Sequence, residues 1–334
     1  MTGSAGAQDW FTPETCRVTA ADLAAAAMEP ELAARVEAAA ATVVNGRGRL
    51  WQITTDAGEV SWLWGTYHTP DPLLLDLPQE FRAILAQARV VALEFDPLPE
   101  TRAEAAANAD TGWMWRSAGW ADWSWLPPEV KGWIEARLEA IGWGTGYIDM
   151  LTEAGMASLL LGDPCGDFLS GLLPGQDGYI GQEAYLAGAE VTGLQQWSEF
   201  GQQLTDPARA GAARAVVQLY AAYLGPSEGG RASRALSYRL YLEGRTAELD
   251  LWAESWLDEV YGAAEAGAIS AQAEGYLLVE RNGLFVERAL PLLQAGGAVI
   301  AVGAGHLAGD TGLVEMLRAR GLRVERLPLP GEAG

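Results

Sequence analysis

The stretch Ala298-Val299-Ile300-Ala301-Val302-Gly303-Ala304-Gly305-His306 indicates the fold of this chain more clearly than any other. Its first five residues are apolar without interruption, which predicts a buried strand. The strand ends in a Gly-x-x-His tetrad. A second tetrad, Gly65-Thr66-Tyr67-His68, follows another predicted strand, Trp62-Leu63-Trp64. Because sites in open α/β sheets are built where strands end, both tetrads are candidate site elements.

The two tetrads contain the only two histidines of the 334 residues. A lone histidine in such a position is more often a structural imidazole than a ligand. Two histidines in matched positions favour a different interpretation, in which the fold brings the pair together. We therefore expect His68 and His306 to serve as metal ligands or as an acid and a base.

The sequence around each tetrad predicts further elements of one sheet. Before His68, alternating large residues flank a short Asp/Gly connection, which predicts a β-hairpin. After it, a helix leads to a strand that carries Glu94, and this strand is expected to pair in parallel with the one before His68, which would place Glu94 beside that histidine. The predicted elements are a hairpin at Leu50–Thr54 and Val60–Gly65, a helix at Pro78–Ala88, strands at Val90–Phe95 and Ala298–Val302, helices at Glu274–Gln294 and Gly312–Arg320, and a strand around Val324.

These patterns predict a mixed α/β fold with a central, mostly parallel sheet built from both ends of the chain. Residues 1–48 are expected to form an N-terminal helical segment, and residues 49–96 and 275–330 the α/β core. Residues 97–274 are rich in Ala and Trp and read as a mainly helical insertion, within which Glu190–Leu194 returns one strand to the sheet after a helix at Tyr179–Ala187.

Composition limits the function and the location of the protein. With 44 acidic and 22 basic side chains the net charge is −22, which makes nucleic acid an unfavourable partner. No apolar run is long enough for a membrane span. The N-terminus resembles no signal sequence, so the protein is either cytosolic or exported with its leader removed. Cys16 and Cys165 could form a disulfide or remain two buried thiols.

The candidate site residues follow from the predicted elements. Asn282 falls on the core side of its helix with Arg281 at the edge of that face, and both are polar in an apolar stripe. The full candidate set is His68, Glu94, Arg281, Asn282 and His306, with Glu280 and Asp177 in reserve. Two imidazoles and one carboxylate leave open positions on a divalent metal for water, as in catalytic sites.

Arg281 would then stabilise an oxyanion or hold a substrate carboxylate. The tetrad glycines, Gly65 and Gly303, and also Gly305, are expected to provide either a positive φ or room for a close approach.

Several separated motifs in the same order resemble those of the TraB/GumN family, which also includes the PrgY and Tiki proteins. They are Leu50-Trp51, the two tetrads, Ala92-Leu93-Glu94-Phe95-Asp96, Glu280-Arg281-Asn282, and the continuation of the second tetrad to Leu313. The resemblance runs from about Leu50 to Leu327 and is weakest in the helical insertion. It implies a core similar to that of erythromycin-esterase-like and ChaN-like proteins.

By similarity to the Tiki peptidases, the resemblance implies a metal-dependent hydrolase acting on a peptide or a small molecule. Manganese, cobalt or zinc would be held by His68, Glu94 and His306, and no nucleotide cofactor is expected. Arg281 would belong to the same catalytic site, and Tyr67, Asn282, Glu280, Asp177 and Gln195 would surround it. The N-terminal segment looks most like the exported GumN-type branch, which implies a periplasmic location and favours the Cys16–Cys165 disulfide.

The chain departs from the family at one position. Relatives commonly carry Gly-Leu-Glu where this chain has Gly193-Leu194-Gln195, so a possible base or metal ligand is replaced by an amide. This favours a first alternative, a protein that binds a ligand or peptide without cleaving it. A second alternative is a metal-independent, esterase-like hydrolase in which the same residues act as general bases.

Overall fold

The structure is a computed structural model that describes residues 13–95, 110–165, 174–225 and 230–332. Six strands form one sheet in the order β4-β3-β5-β2-β1-β6. Their bounds are β1 Leu50–Thr54, β2 Val60–Thr66, β3 Val90–Phe95, β4 Glu190–Gln195, β5 Ala298–Gly303 and β6 Arg323–Arg326. The four strands β2, β5, β3 and β4 run parallel, and β1 is antiparallel to both β2 and β6. The predicted mixed α/β class with a mostly parallel sheet is confirmed.

The order of the central strands corrects one prediction. The strand before His68 and the strand that carries Glu94 are parallel, as expected, but they are not neighbours. Strand β5 lies between them, with Leu63 of β2 opposite Ile300 and Ala92 of β3 opposite the same residue from the other side. A strand from the far end of the chain therefore completes the middle of the sheet, which a local strand-helix-strand pattern does not reveal.

Strand β5 is buried along its whole length because helices cover both faces of the sheet. Its side chains alternate between two cores, as the two-residue period of a strand requires. Ala298, Ile300 and Val302 pack with helices near the C-terminus on one face, and Val299 and Ala301 pack with helices from the rest of the chain on the other.

The helices begin at recognisable signals. Proline occupies the first turn of several helices, and Thr19 closes a capping box with Asp22. Their bounds are α1 Pro13–Cys16, α2 Ala20–Ala25, α3 Pro30–Ala40, α4 Pro72–Leu75, α5 Gln79–Leu85, α6 Pro128–Ala140, α7 Glu153–Leu160, α8 Gln176–Leu186, α9 Trp197–Leu204, α10 Ala210–Ala222, α11 Arg231–Leu242, α12 Thr246–Tyr261, α13 Ala263–Glu274, α14 Arg281–Gln294 and α15 Leu313–Ala319.

Two further cores lie away from the sheet. Helices α6, α7, α10 and α13 share one of them, and α3 packs with α11 and α12 in the other. The predicted boundaries of the helical insertion remain a prediction. Residues 1–12 of the N-terminal segment, Asp96, and residues 97–109 at the start of the insertion lie outside the described residues.

The helix that carries Arg281 and Asn282 differs from its prediction. A π-helical turn, Gly275–Glu280, precedes α14 and joins it to α13. Such a turn adds a residue to the helical repeat, so the side chains before and after it face different neighbours. Leu278 accordingly packs against the helical core, whereas Phe285 and Ala289 pack against the sheet. The prediction that Glu274–Gln294 forms one helix with a single apolar stripe was wrong, because its apolar residues face two different cores.

The structure also bears on the disulfide and on membrane-spanning segments. Cys16 and Cys165 form a disulfide with a Cα–Cα distance of 5.3 Å, and both residues are fully buried. The bond ties α1 to a loop in the middle of the chain. Within the described residues, no helix combines the length and the apolar character that crossing a bilayer requires.

Candidate functional site

Three strand ends converge on one carboxylate. Strands β2, β5 and β3 end side by side at the same edge of the sheet, because they run parallel. His68 follows β2, His306 follows β5, and Glu94 is the next-to-last residue of β3. The Nε2 atoms of both histidines lie 3.6 Å from the same atom, Oε1 of Glu94.

Glu94 is buried and firmly held. Its Oε1 accepts a 2.6 Å hydrogen bond from the amide of Gly303, and its Oε2 accepts a 2.7 Å bond from Nη2 of Arg281. Burial alone would raise the pKa of this carboxyl, but Arg281 and then His306 outweigh it and hold the pKa well below its usual range. Glu94 is therefore ionised at neutral pH.

Gly303 is glycine because of close approach rather than an unusual backbone. Its φ is −49°, which other residues adopt freely. A Cβ placed on it would lie 2.9 Å from Nε2 of His68 and 3.1 Å from Oε1 of Glu94. Any larger residue would fill the space between the two site groups. Gly65 is restricted in the same way, since its Cβ would lie 3.1 Å from Cα of Ala304.

His68 lies at the open side of the site. Its side chain is 56% exposed, and its Nδ1 lies 2.7 Å from Oδ2 of Asp177. Desolvation would lower the pKa of this imidazole, but Asp177 and then Glu94 outweigh desolvation and raise it to about 9. Because more than half of the ring is exposed, solvent screens part of this attraction. The direction of the shift favours an imidazolium.

His306 lies in the closed part of the site, with its side chain 6% exposed. Its Nδ1 is 2.7 Å from Oδ1 of Asn282, whose Nδ2 donates to the carbonyls of His306 and Thr311. With the amide in this orientation, Nδ1–H of His306 donates and Nε2 carries the lone pair. Desolvation lowers the pKa of His306 and outweighs the opposite effect of Glu94, so the ring is neutral.

Arg281 is enclosed behind Glu94. Besides Glu94, its Nε donates to Oε1 of Gln195 at 2.9 Å, and its Nη1 lies 3.4 Å from Nε2 of His306. Three rings, those of Phe95, Phe200 and Phe285, lie 4.8–5.4 Å from the guanidinium carbon. The side chain is 6% exposed. In this position Arg281 orients Glu94, whereas the predicted contact with a substrate carboxylate or oxyanion would require access that the rings restrict.

Gln195 ends strand β4, next to β3. Its Oε1 accepts from Arg281, and its Nε2 donates to Oε1 of Gln203 at 3.2 Å. Its side chain thus meets the site through Arg281. Gln203 in turn accepts a hydrogen bond from the hydroxyl of Tyr276.

Asp177 lies in the first turn of helix α8 and connects that helix to the first tetrad. Its Oδ1 accepts a 2.7 Å hydrogen bond from the hydroxyl of Thr66, and its Oδ2 meets His68. The neighbouring Gln176 is buried and accepts from the amide of Tyr67 and the hydroxyl of Tyr241. Sequence reasoning missed Thr66 and Gln176. For Thr66, a hydroxyl inside the tetrad was an available signal, whereas nothing in the sequence distinguished Gln176.

Two predicted neighbours of the site differ in position. Tyr67 lies beside it, with its hydroxyl donating to Ser237 at 3.0 Å. Glu280 lies outside it, because its carboxylate is half exposed and pairs with Arg209 at 3.0 Å. Adjacent helical residues project about 100° apart, so Glu280 faces away where Arg281 faces inward.

The donor set of the site suits a divalent cation. His68, Glu94 and Asp177 each offer a ligand atom, and these atoms lie within 4.8 Å of one another. Two atoms bound to one zinc at about 2.1 Å each must lie within about 4.2 Å. The distance of 3.6 Å from Glu94 to each histidine meets this condition for those two pairs. The cluster of three ligand atoms within 4.8 Å of one another in the described residues contains His68 but not His306. Asp177 can serve instead as the outer partner that orients His68 through Nδ1.

The fold and the strand-end cluster define a mixed α/β protein with a His/Glu site at the carboxyl edge of its parallel strands. The model of the TraB/PrgY/gumN family matches residues 49–326 of the chain, and the chain therefore belongs to this family. No curated protein and no solved structure matched the sequence.

Proposed function

We propose that the protein is a hydrolase of peptide-like bonds that uses a divalent metal ion at the His68/Glu94 cluster. The observation that carries the proposal is the convergence of two imidazole Nε2 atoms on one carboxylate oxygen, each at 3.6 Å. The separation is too long for a hydrogen bond and suits two ligands of one ion. Membership of the TraB/PrgY/gumN family is consistent with the proposal.

His68 and Glu94 would hold the ion. For His306 to become a third ligand through its Nε2 lone pair, the exposed ring of His68 would have to move closer to it. A divalent ion in such a site lowers the pKa of bound water towards 7. Asp177 fixes the ring of His68 by accepting the Nδ1 proton, and the metal would take the place of the Nε2 proton of the imidazolium. Asn282 likewise fixes the ring of His306 by accepting its Nδ1 proton.

The other residues keep Glu94 ionised, as a metal ligand must be. Arg281 and the amide of Gly303 hold its two oxygens and keep it ionised. Oε1 of Glu94, the atom that faces both histidines, would be the oxygen that binds the ion. The exposed side of His68 is the side on which a substrate can approach.

The first test is metal content and its effect. We expect the purified protein to contain manganese, cobalt or zinc, and hydrolysis of a peptide library to stop with chelator and return with one of these metals. His68→Ala should abolish metal binding and lower the rate of hydrolysis by about 10²- to 10⁴-fold, whereas Glu280→Gln, which alters an acid outside the cluster, should leave both unchanged. A purified protein that neither contains nor takes up any divalent metal would refute the metal-dependent mechanism.

A second candidate is hydrolysis without metal. It is favoured by the ion pair of Glu94 with Arg281, because a carboxylate that is already neutralised needs no cation. His68 as an imidazolium would then donate a proton to the leaving group, and Glu94 would accept one from water. This candidate predicts hydrolysis that is insensitive to chelator but lost in both His68→Ala and Glu94→Gln.

The position of Gln195 argues for turnover rather than binding alone. Its amide contacts Arg281, so the replacement of a carboxylate at this position leaves the two histidines and Glu94 in place. Gln195→Glu tests this directly. If the amide has removed an essential base, the variant should hydrolyse peptides that the natural chain only binds.

We also propose an oxidising compartment such as the periplasm as the location of the protein. The buried Cys16–Cys165 disulfide supports it, since such bonds rarely persist in a reducing cytosol. Thiol alkylation in intact cells tests it: both cysteines should resist modification until the protein is unfolded and reduced.

A further inference from the structure

His68 is held in place mainly through its neighbours in the chain. Its ring is 56% exposed and, among the residues that the structure describes, is anchored by a hydrogen bond to Asp177. The residues on either side of it are attached far more firmly. The amide of Tyr67 donates to Gln176, and Thr69 is fully buried. The orientation of an exposed ring then depends on how well its backbone is fixed.

Thr69 is fixed by a buried carboxylate. Its hydroxyl donates to Oδ2 of Asp163 at 2.8 Å. Two nitrogens of Arg234 also contact Asp163, at 2.7 and 3.0 Å, in a fork that sets both direction and distance. Both members of the ion pair are about nine-tenths buried. Burial would raise the pKa of Asp163, but Arg234 outweighs burial and lowers it.

Asp163 is in turn fixed by the disulfide. The amide of Cys165 donates to Oδ1 of Asp163 at 2.9 Å, and Cys165 is bonded to Cys16. Helix α11, which carries Arg234, also contacts the N-terminal segment, because Arg239 donates a hydrogen bond to the carbonyl of Ala26 at 2.7 Å. A continuous set of contacts thus leads from the disulfide through Asp163 to Thr69, beside His68.

We propose that Asp163 is a positioning residue for His68 and that the Cys16–Cys165 disulfide keeps it in place, so that the site holds its geometry only in the oxidised protein. A dithiol would reduce the bond by two electrons, leaving a thiol on each cysteine and becoming a cyclic disulfide itself. The segment that carries Asp163 then loses its covalent tie to α1. The proposal deepens the proposed function, on which it rests for the importance of His68.

The test uses the fact that the chain has two histidines. NMR of the full-length protein with labelled histidine gives two imidazole signals, which His68→Asn assigns. At one fixed pH, we expect the double variant Cys16→Ser/Cys165→Ser to shift the His68 signal by more than its line width and to leave the His306 signal in place. Asp163→Asn, with the disulfide intact, should shift the same signal.

The matched control is Glu248→Gln, which weakens the ion pairs of another buried carboxylate with the partly exposed Arg245 and Arg47. It should lower stability without moving the His68 signal. If the double cysteine variant does not fold, reduction of the folded natural chain and Asp163→Asn remain as tests. A folded, reduced protein with an unchanged His68 signal would overturn the proposal. Because the readout requires neither metal nor hydrolysis, a protein without activity could still support it.

Discussion

The two Gly-x-x-His turns place the same side chain at one sheet edge in opposite surroundings. The ring of His68 is 56% exposed and its Nδ1 meets the carboxylate of Asp177, whereas the ring of His306 is 6% exposed and its Nδ1 meets the amide of Asn282. Both direct Nε2 towards Oε1 of Glu94. The partner of Nδ1 and the access of solvent therefore distinguish two histidines that the sequence presents as equivalent.

The two Nδ1 partners give the two histidines different protonation states. A carboxylate partner favours the charged form of His68, and a buried amide partner keeps His306 neutral. Under the proposed function, His68 is the histidine that a substrate approaching from solvent would meet. His306 and Asn282 instead connect the end of β5 to α14. These two elements carry Gly303 and Arg281, which bind the carboxylate of Glu94.

His68→Ala is the variant from which we expect the largest effect on the rate of hydrolysis. We expect the rate of hydrolysis to fall by about 10²- to 10⁴-fold, as for the loss of a general acid or base, while the free energy of unfolding changes by no more than about 0.5 kcal/mol. Peptide cleavage and urea unfolding measure the two effects. Full activity in this variant would remove His68 from the mechanism.

Glu94→Leu removes the carboxylate that both histidines share. It leaves the buried guanidinium of Arg281 unpaired, and we expect a loss of about 3–5 kcal/mol in the free energy of unfolding. The double variant Glu94→Leu/Arg281→Leu should recover part of this loss, because it removes the isolated charge. Losses that simply add in the double variant would show that the two side chains are not coupled.

His306→Ala should affect stability more than its counterpart does. The substitution leaves Oδ1 of Asn282 buried without its donor, which costs about 1–3 kcal/mol. Chemical denaturation of His306→Ala and His68→Ala under the same conditions gives the comparison. Equal stability of the two variants would contradict the assignment of His306 to the closed part of the site.

The smallest expected effect comes from Asp177→Asn, which gives His68 an amide partner like that of His306. The pKa of His68 should fall from about 9 towards 6.5, and NMR titration measures it. Thr66→Val, which removes the hydroxyl that orients Asp177, should move the pKa in the same direction by less. A pKa that stays near 9 in Asp177→Asn would assign the shift to another group.

The same variant should change how stability depends on pH. A folded-state pKa above the unfolded value gives stability that is complete below about pH 6.5 and is lost as the pH rises to about 9. The natural chain should therefore lose stability relative to Asp177→Asn over this range. Solvent around the exposed ring keeps the difference small. A constant difference across the range would contradict this account.

Local patterns predicted the elements of the sheet well because they depend on neighbouring residues. The apolar run that became β5 and the Asp/Gly turn between β1 and β2 are examples. The place of β5 between β2 and β3 depends on contacts across most of the chain, and no periodicity records them. The π-helical turn before Arg281 is also invisible to a 3.6-residue repeat, which explains why Leu278 was assigned to the wrong core.

The site was predictable to the extent that it consists of unusual residues at strand ends. His68, Glu94 and His306 were predicted in this way, and the structure brings both imidazoles to one carboxylate, while their roles stay predictions. Their orienting partners include common residues with no distinctive spacing, such as Gln176 and Thr66. Arg281 was found, but its enclosure by three rings depends on residues from three different elements.

The insertion of β5 between β2 and β3 also sets an order of events during synthesis. Gly303, whose amide holds Glu94, lies 209 residues further along the chain. Until the ribosome has released β5, no strand lies between β2 and β3, and nothing brings His68 and Glu94 together. Closing such a distant contact is slow compared with forming local helices. A nascent chain, or one that ends before β5, would therefore carry His68 and Glu94 without the contact that brings them into one cluster.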